Sequence, residues 1–130
     1  MPAFKPAYLI HGDDHGRIGE RRAKLRELAE NESGVGGVEV FEGEESAPGA
    51  VANALCAMTF AMGRRFVIVD GVERWKDTDV ADVVAPVIAA LGDDTTVAFF
   101  AREDGRTKAP AKLHDAVKKA GGDIAAEMTL

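Results

Sequence analysis

Arg65-Phe66-Val67-Ile68-Val69-Asp70 places a continuous apolar run, mostly of β-branched residues, between two charged ones. A strand that is apolar on both faces is typical of the middle of a parallel sheet, whose two sides are covered by helices. We therefore predict a central strand here, and with it an α/β fold.

Other strand-like segments flank this one and alternate with helix-like patterns. The predicted strands are Ala7 to His11, Val38 to Phe41, Thr95 to Phe100 and a possible fifth, Asp123 to Ala126. The predicted helices are 17–30, one that Ala47 and Pro48 open after Ser46 as N-cap and that runs through Leu55 with Met58 at its expected end, 79–91 with a break near Pro86, and 108–120. This alternation predicts a three-layer α/β fold, with a mostly parallel five-stranded sheet and helices on both faces. Its functional crevice is expected at the carboxyl ends of the strands.

Composition and charge restrict the possible functions. The 130 residues fit one domain, 1–130, and 46 % hydrophobic with 29 % charged residues is typical of a folded protein. A formal net charge of -6 argues against a protein that binds the nucleic-acid backbone directly. No apolar run approaches the roughly 18 residues of a membrane span, and residues 1–5 lack the order of a signal peptide. We therefore expect a cytoplasmic protein without a membrane partner.

The loop after the first predicted strand, residues 12–20, occupies the position of a phosphate-binding loop. A P-loop needs G-x-x-x-x-G-K-[ST], so that backbone amides and a lysine meet phosphate and a hydroxyl meets magnesium. Counted from Gly12, the positions of the second glycine and of the lysine hold Arg17 and Ile18, and Asp13 and Asp14 would repel phosphate. The sequence therefore predicts neither ATP binding nor any other cofactor.

Three aspartates suggest an alternative function. Asp13 and Asp14 follow the first strand and Asp70 ends the third, as in response-regulator receiver domains, where such acids share Mg²⁺ and one accepts a phosphoryl group. Receivers also have a Thr or Ser after the fourth strand and a Lys after the fifth. Here Ala101 to Glu103 follow the fourth strand and no lysine follows Ile124. We favour helix capping by Asp13 and Asp14 and keep phosphorylation of Asp70 as the alternative.

The other reactive side chains form no recognisable catalytic or metal motif. His11, His15 and His114 lack metal-ligand spacing, and Cys56 lies among apolar neighbours, where a small buried hydrophobe is expected. Trp75 is expected to cover the edge of the core. No catalytic residue and no metal ligand is therefore predicted.

The stretch from Leu55 to Arg65 combines an apolar character with an absence of charge before Arg64. Met58, Phe60 and Met62 are flexible or aromatic side chains of the kind that anchor in a pocket of a partner. The alternative is that all three line the core.

Several motifs, taken in order, resemble one protein family. They are Tyr8 to Asp14, Glu20 in the following helix, Met58 to Val69, Lys108 to Leu113, and residues 118–122. In this order and spacing the sequence is similar to the delta subunit of the clamp loader of bacterial DNA polymerase III. The resemblance covers nearly the whole chain, although each motif alone is degenerate. It implies an N-terminal AAA+-like domain that has lost ATP binding, with the family's small helical domain and collar absent from this chain.

The resemblance also implies a partner and a binding segment. In the family, the segment before the central strand enters a hydrophobic pocket of the beta sliding clamp, and the matching residues here are Met58, Thr59, Phe60, Ala61 and Met62. Ala61 stands where the family commonly has Phe. The implied role is to bind and open the clamp during DNA replication, within the polymerase complex but without catalysis of its own. Other clamp-loader subunits would be bound through the absent regions, and DNA only indirectly.

Overall fold

A computed structural model of the chain describes residues 4–57 and 63–129. Its strands are β1 (Ala7–Gly12), β2 (Val38–Phe41), β3 (Arg65–Asp70), β4 (Thr95–Arg102) and β5 (Asp123–Ala126). They form one sheet in the order β2-β3-β4-β1-β5, and every pairing is parallel. The five strands predicted from apolar runs are confirmed, and the sheet is more uniformly parallel than expected.

Four helical segments connect the strands. They are α1 (His15–Ser33), α2 (Pro48–Cys56), α3 (77–89) and α4 (Ala111–Lys119), with α3 made of the consecutive pieces Asp77–Asp79, Val80–Val84 and Ala85–Ala89. No helix in the described part of the chain is long and apolar enough to cross a membrane.

The helices cover the two faces of the sheet unequally. The connection from β1 to β2 runs one way across the sheet, and the other three connections run the opposite way. Since parallel crossovers are right-handed, α1 must lie on one face and α2, α3 and α4 on the other. The buried side chains form two clusters accordingly, with Ile18 of α1 in the smaller and Val51, Val84 and Leu113 of the other helices in the larger.

Pro86 widens α3 instead of ending it. The middle piece, Val80–Val84, is a π-helical turn that lies immediately before the proline, and the amide of Ala85 donates to the carbonyl of Val80. Proline lacks an amide and its ring crowds the preceding turn, which explains why the hydrogen-bond ladder is disturbed there. The predicted irregularity near Pro86 is therefore confirmed as a π-turn.

Two predictions for α2 are wrong. Ser46 is not the N-cap, because the cap is Ala47 and the Ser46 hydroxyl donates to the carbonyl of Gly43 over 2.9 Å. Cys56 is exposed, since it is the last residue of the helix.

The last helix begins later than predicted, at Ala111 instead of Lys108. Proline disfavours helical backbone at the residue before it, here Ala109, and Pro110 itself becomes the N-cap. The amide of Ala109 instead donates to the Glu103 carboxylate over 2.7 Å.

Candidate functional site

The carboxyl ends of β1 and β4 lie side by side, with Gly12 paired to Arg102. The helix that follows β1 lies on one face of the sheet and the helix that follows β4 on the other. Such a switch point is where open α/β sheets form their ligand crevice. This edge is therefore the first candidate for a ligand site.

Side chains of the protein itself fill this switch point. Glu103, which is 4 % exposed, accepts a hydrogen bond from the Ala109 amide, and its Oε1 lies 3.0 Å from Nδ1 of His11. The Glu103 amide donates to the carbonyl of Gly12 over 2.8 Å, and its carbonyl lies 2.8 Å from Nε2 of His15. Burial alone would raise the pKa of the Glu103 carboxyl, but the hydrogen bonds from Ala109 and His11 outweigh it and lower that pKa.

A second histidine packs on this group. The rings of His11 and His114 meet edge to face with 4.7 Å between their centroids. Burial lowers the pKa of His114, and the neighbouring charge of His11 lowers it further. In residues 4–57 and 63–129, no three His, Cys, Asp or Glu side chains are arranged to hold a metal ion.

The two aspartates of the first loop have separate roles. Asp14 is the N-cap of α1, and its carboxylate accepts from the amide of Arg17, which confirms capping for this residue. Asp13 does not cap; its carboxylate accepts from the amide and the hydroxyl of Thr129 over 2.8 and 3.1 Å. The hydrogen bond from the Thr129 amide lowers the pKa of Asp13.

Asp70 does not join the other two aspartates, because β4 lies between β1 and β3. Its carboxylate binds Arg22 over 2.8 Å and Arg102 over 3.1 Å instead. A receiver domain has β1 next to β3. The strand order and the two arginines therefore disfavour the alternative of Asp70 as a Mg²⁺-dependent phosphoryl acceptor.

The predicted clamp-binding residues Met58, Thr59, Phe60, Ala61 and Met62 lie outside the described residues. The residues on either side are described: α2 ends at Cys56, and β3 begins at Arg65. Both flanks belong to the amino edge of the sheet, opposite the switch point.

Arg65 ties the two flanks together. Its side chain is 8 % exposed, donates from Nη1 to the carbonyl of Ala57 over 3.4 Å, and forms an ion pair with Glu39. Its backbone amide donates to the carbonyl of Asp94 over 2.7 Å. The end of α2 and the start of β3 are thus held at a defined separation by a guanidinium with several acceptors.

Arg64 anchors the same flank to the strand next to β3. Its guanidinium donates to the hydroxyl of Thr96 over 2.9 Å and to the carbonyl of Asp93 over 3.1 Å. Gly63 has φ 99°, a left-handed conformation that favours glycine. Gly63, Arg64 and Arg65 therefore form an anchored base for the preceding segment.

Sequence reasoning did not identify this anchoring role. The sequence pattern places Arg65 at the start of the central strand, Arg64 at the end of the apolar stretch and Glu39 in a short strand, and it predicts no contact among them. The available signal was an arginine at the start of a buried strand together with an acidic residue in a neighbouring one. Glu39 pairs with Val67, so it lies on the same face of the sheet as Arg65.

No protein-family model matches the sequence, and no curated protein matches it. Function is therefore inferred from the residues and their geometry.

Proposed function

We propose that the chain is a non-catalytic AAA+-like domain, and specifically the N-terminal domain of the delta subunit of a bacterial DNA polymerase III clamp loader. In this role the domain binds the beta sliding clamp and favours its open ring, while other subunits hydrolyse ATP.

The order of the strands carries the first part of the proposal. β1 lies between β4 and β5, and the sheet ends with β2 at one edge. The receiver alternative requires β1 between β2 and β3, next to neither β4 nor β5. The strand order therefore supports the AAA+-like fold against its main competitor.

The first loop supports a domain without nucleotide chemistry. Arg17 and Ile18 stand where a P-loop has its second glycine and its lysine, and Gly19 stands where it has its hydroxyl residue. The amide of Asp14, at the start of α1, already donates to the carbonyl of Glu127 over 3.0 Å. Both the side chains and the backbone of this loop are thus unsuited to triphosphate.

The segment before β3 supports the second part of the proposal. Met58, Phe60 and Met62 offer apolar anchors, and a buried phenylalanine contributes about 1.5–3 kcal/mol. If these side chains bind the open clamp interface better than the closed one, binding shifts the ring toward opening without any chemical step. Ala61 lacks the apolar surface that the family's Phe supplies.

The anchored base lowers the cost of binding. A segment that is ordered on binding loses conformational entropy, which reduces its affinity. Arg65 bonds both to Ala57 before the segment and to Glu39 of the sheet, so the two ends are already in place.

A binding assay with immobilised sliding clamp tests the proposal. We expect the 130-residue chain to bind at tens of micromolar or tighter, and Met58→Ala with Phe60→Ala to weaken binding by at least about tenfold, since each anchor is worth more than 1.4 kcal/mol. Met128→Ala is the matched control, because Met128 is an exposed methionine elsewhere on the chain, and it should leave the affinity unchanged.

A variant that should bind the clamp more tightly complements the variant that should bind it more weakly. Ala61→Phe restores the residue common in the family and should tighten binding by about tenfold or more, because it adds a buried phenyl ring. If the wild-type chain and Ala61→Phe both fail to bind at hundreds of micromolar, the proposed function is wrong.

A further inference from the structure

After β5 the chain crosses the loop that follows β1. Residues 127–129, called the strap from here on, extend the β1–β5 ladder: the Glu127 amide donates to His11 over 2.8 Å, and the Glu127 carbonyl accepts from Asp14 over 3.0 Å. Thr129 then donates to Asp13 from its amide and its hydroxyl. The strap thus binds two successive residues of the first loop.

Gly12 is needed for this crossing. A Cβ at Gly12 would lie 2.0 Å from the carbonyl oxygen of Glu127, and Gly12 has φ 142°. Any other residue would push the strap off the loop. The glycine that a phosphate-binding loop would use for close approach to a ligand is used here for close approach to the chain itself.

The strap also holds α1. The Glu127 carboxylate lies 2.8 Å from Arg21 and 3.6 Å from Arg17, both in the first two turns of the helix. A carboxylate near a helix start also interacts favourably with the helix dipole. One residue of the strap therefore links β5, the first loop and α1.

These contacts are polar and near the surface, with Met128 51 % exposed. Regions with few buried apolar contacts open at a lower free energy than the core does. We propose that the strap is a releasable latch: when closed it orders the first loop and the start of α1, as a bound phosphate would in a nucleotide-binding relative, and when released it loosens them while the sheet stays folded.

The amide of Asp14 shows why the strap can replace a ligand. The first amides of a helix have no partner within the helix, and phosphate binds them in nucleotide sites. Here the Glu127 carbonyl accepts from one of them. The path of the chain after β5 is thereby coupled to the conformation after β1. This coupling goes beyond clamp binding and does not depend on it.

Amide hydrogen exchange followed by NMR tests the latch. In Asp13→Ala the amides of Asp14 and Thr129 should exchange about tenfold faster or more, because two hydrogen bonds are lost, while amides of β3 and β4 keep their rates. Asp13→Asn retains an oxygen that accepts from Thr129 and should fall between. Asp123→Ala, which removes only the ion pair with Lys5 at the other end of β5, is the matched control.

Three results would overturn the proposal. The first is exchange of the wild-type Asp14 amide at the rate of an unstructured peptide, and the second is unchanged exchange in Asp13→Ala. Should β3 and β4 also lose protection in that variant, Thr129→Val removes only the hydroxyl bond. This variant should accelerate hydrogen exchange of the same two amides by a smaller factor. Unchanged exchange in Thr129→Val would equally contradict the latch.

Discussion

The two edges of this sheet carry different contacts. At the carboxyl edge, where open α/β sheets usually bind ligands, Asp70 and Glu103 bind other groups of the protein. At the amino edge, Arg64 and Arg65 fix both flanks of an apolar segment. Under the proposed function, the fold keeps its framework while its binding role lies at the opposite edge.

The carboxyl edge is also the more sensitive one energetically. Asp70 and Glu103 are 7 % and 4 % exposed, and both carboxylates bind groups that are distant in sequence, Arg22 for Asp70 and His11 for Glu103. Removing one partner of a buried charge leaves the other uncompensated, which costs more than the pair contributes. We therefore expect the largest losses of stability there.

Asp70→Ala should have the largest effect. It leaves Arg22 and Arg102 without their shared carboxylate and should lower the free energy of unfolding by about 2–4 kcal/mol, a value reduced because both arginines reach solvent. Urea unfolding measures this. Asp123→Ala removes an exposed pair and should cost at most about 1 kcal/mol. Equal losses in the two variants would contradict the contrast between the edges.

Arg65→Gln should act on the amino edge. It removes the ion pair with Glu39 and the bond to Ala57, and should cost about 1–3 kcal/mol of stability. Because the flanks of the segment are then held less firmly, clamp binding should weaken by several-fold. Surface plasmon resonance measures the affinity, with Arg26→Gln, which breaks only an exposed pair, as the control. Unchanged clamp affinity in Arg65→Gln would show that the anchoring by Arg65 has a structural role only.

The smallest effect concerns pH at the carboxyl edge. Because the pKa of His114 is lowered, the unfolded chain binds more protons than the folded one below about pH 6.5. The free energy of unfolding should therefore fall as the pH drops from 7 to 5. The groups that set this pKa include His11, Glu103, Asp115 and Lys118.

His114→Phe is the test of that pH effect. It keeps a ring against His11 but cannot be protonated, so it should lose less stability between pH 7 and 5 than the wild type. Protonation of Glu103 does not obscure the comparison. Because the pKa of Glu103 is lowered, the stability that its carboxylate contributes is lost only below the usual pKa of 4.5, outside the range from pH 7 to 5. A pH dependence as steep in the variant as in the wild type would contradict the assignment to His114.

Local pattern predicted most of the secondary structure. Apolar runs gave β2, β3 and β5 with their observed bounds, and Trp75 covers the core edge as expected, with its ring on Phe99. The start of α4 was predicted too early although its signals are local: Pro110 disfavours helical backbone at Ala109, and the Glu103 carboxylate six residues earlier accepts from the Ala109 amide. The order of the strands could not be read either, because periodicity indicates which face is buried and not which strand is adjacent.

The same limit applies to the site. Asp14 as a helix cap depends on a neighbour three residues away and was predictable. Asp70 binds Arg22 and Arg102, which lie 48 and 32 residues away in sequence. Such pairs follow from strand order, so the anchors and the filled crevice required the structure.

NMR mapping of the clamp contact tests the central claim most directly. The ¹⁵N-labelled chain would be titrated with unlabelled sliding clamp. We expect perturbed amides at the amino edge, in residues 35–37, 56–65 and 93–95, and unperturbed amides at 12–15 and 102–104. Perturbation at the carboxyl edge with an unchanged amino edge would contradict the account.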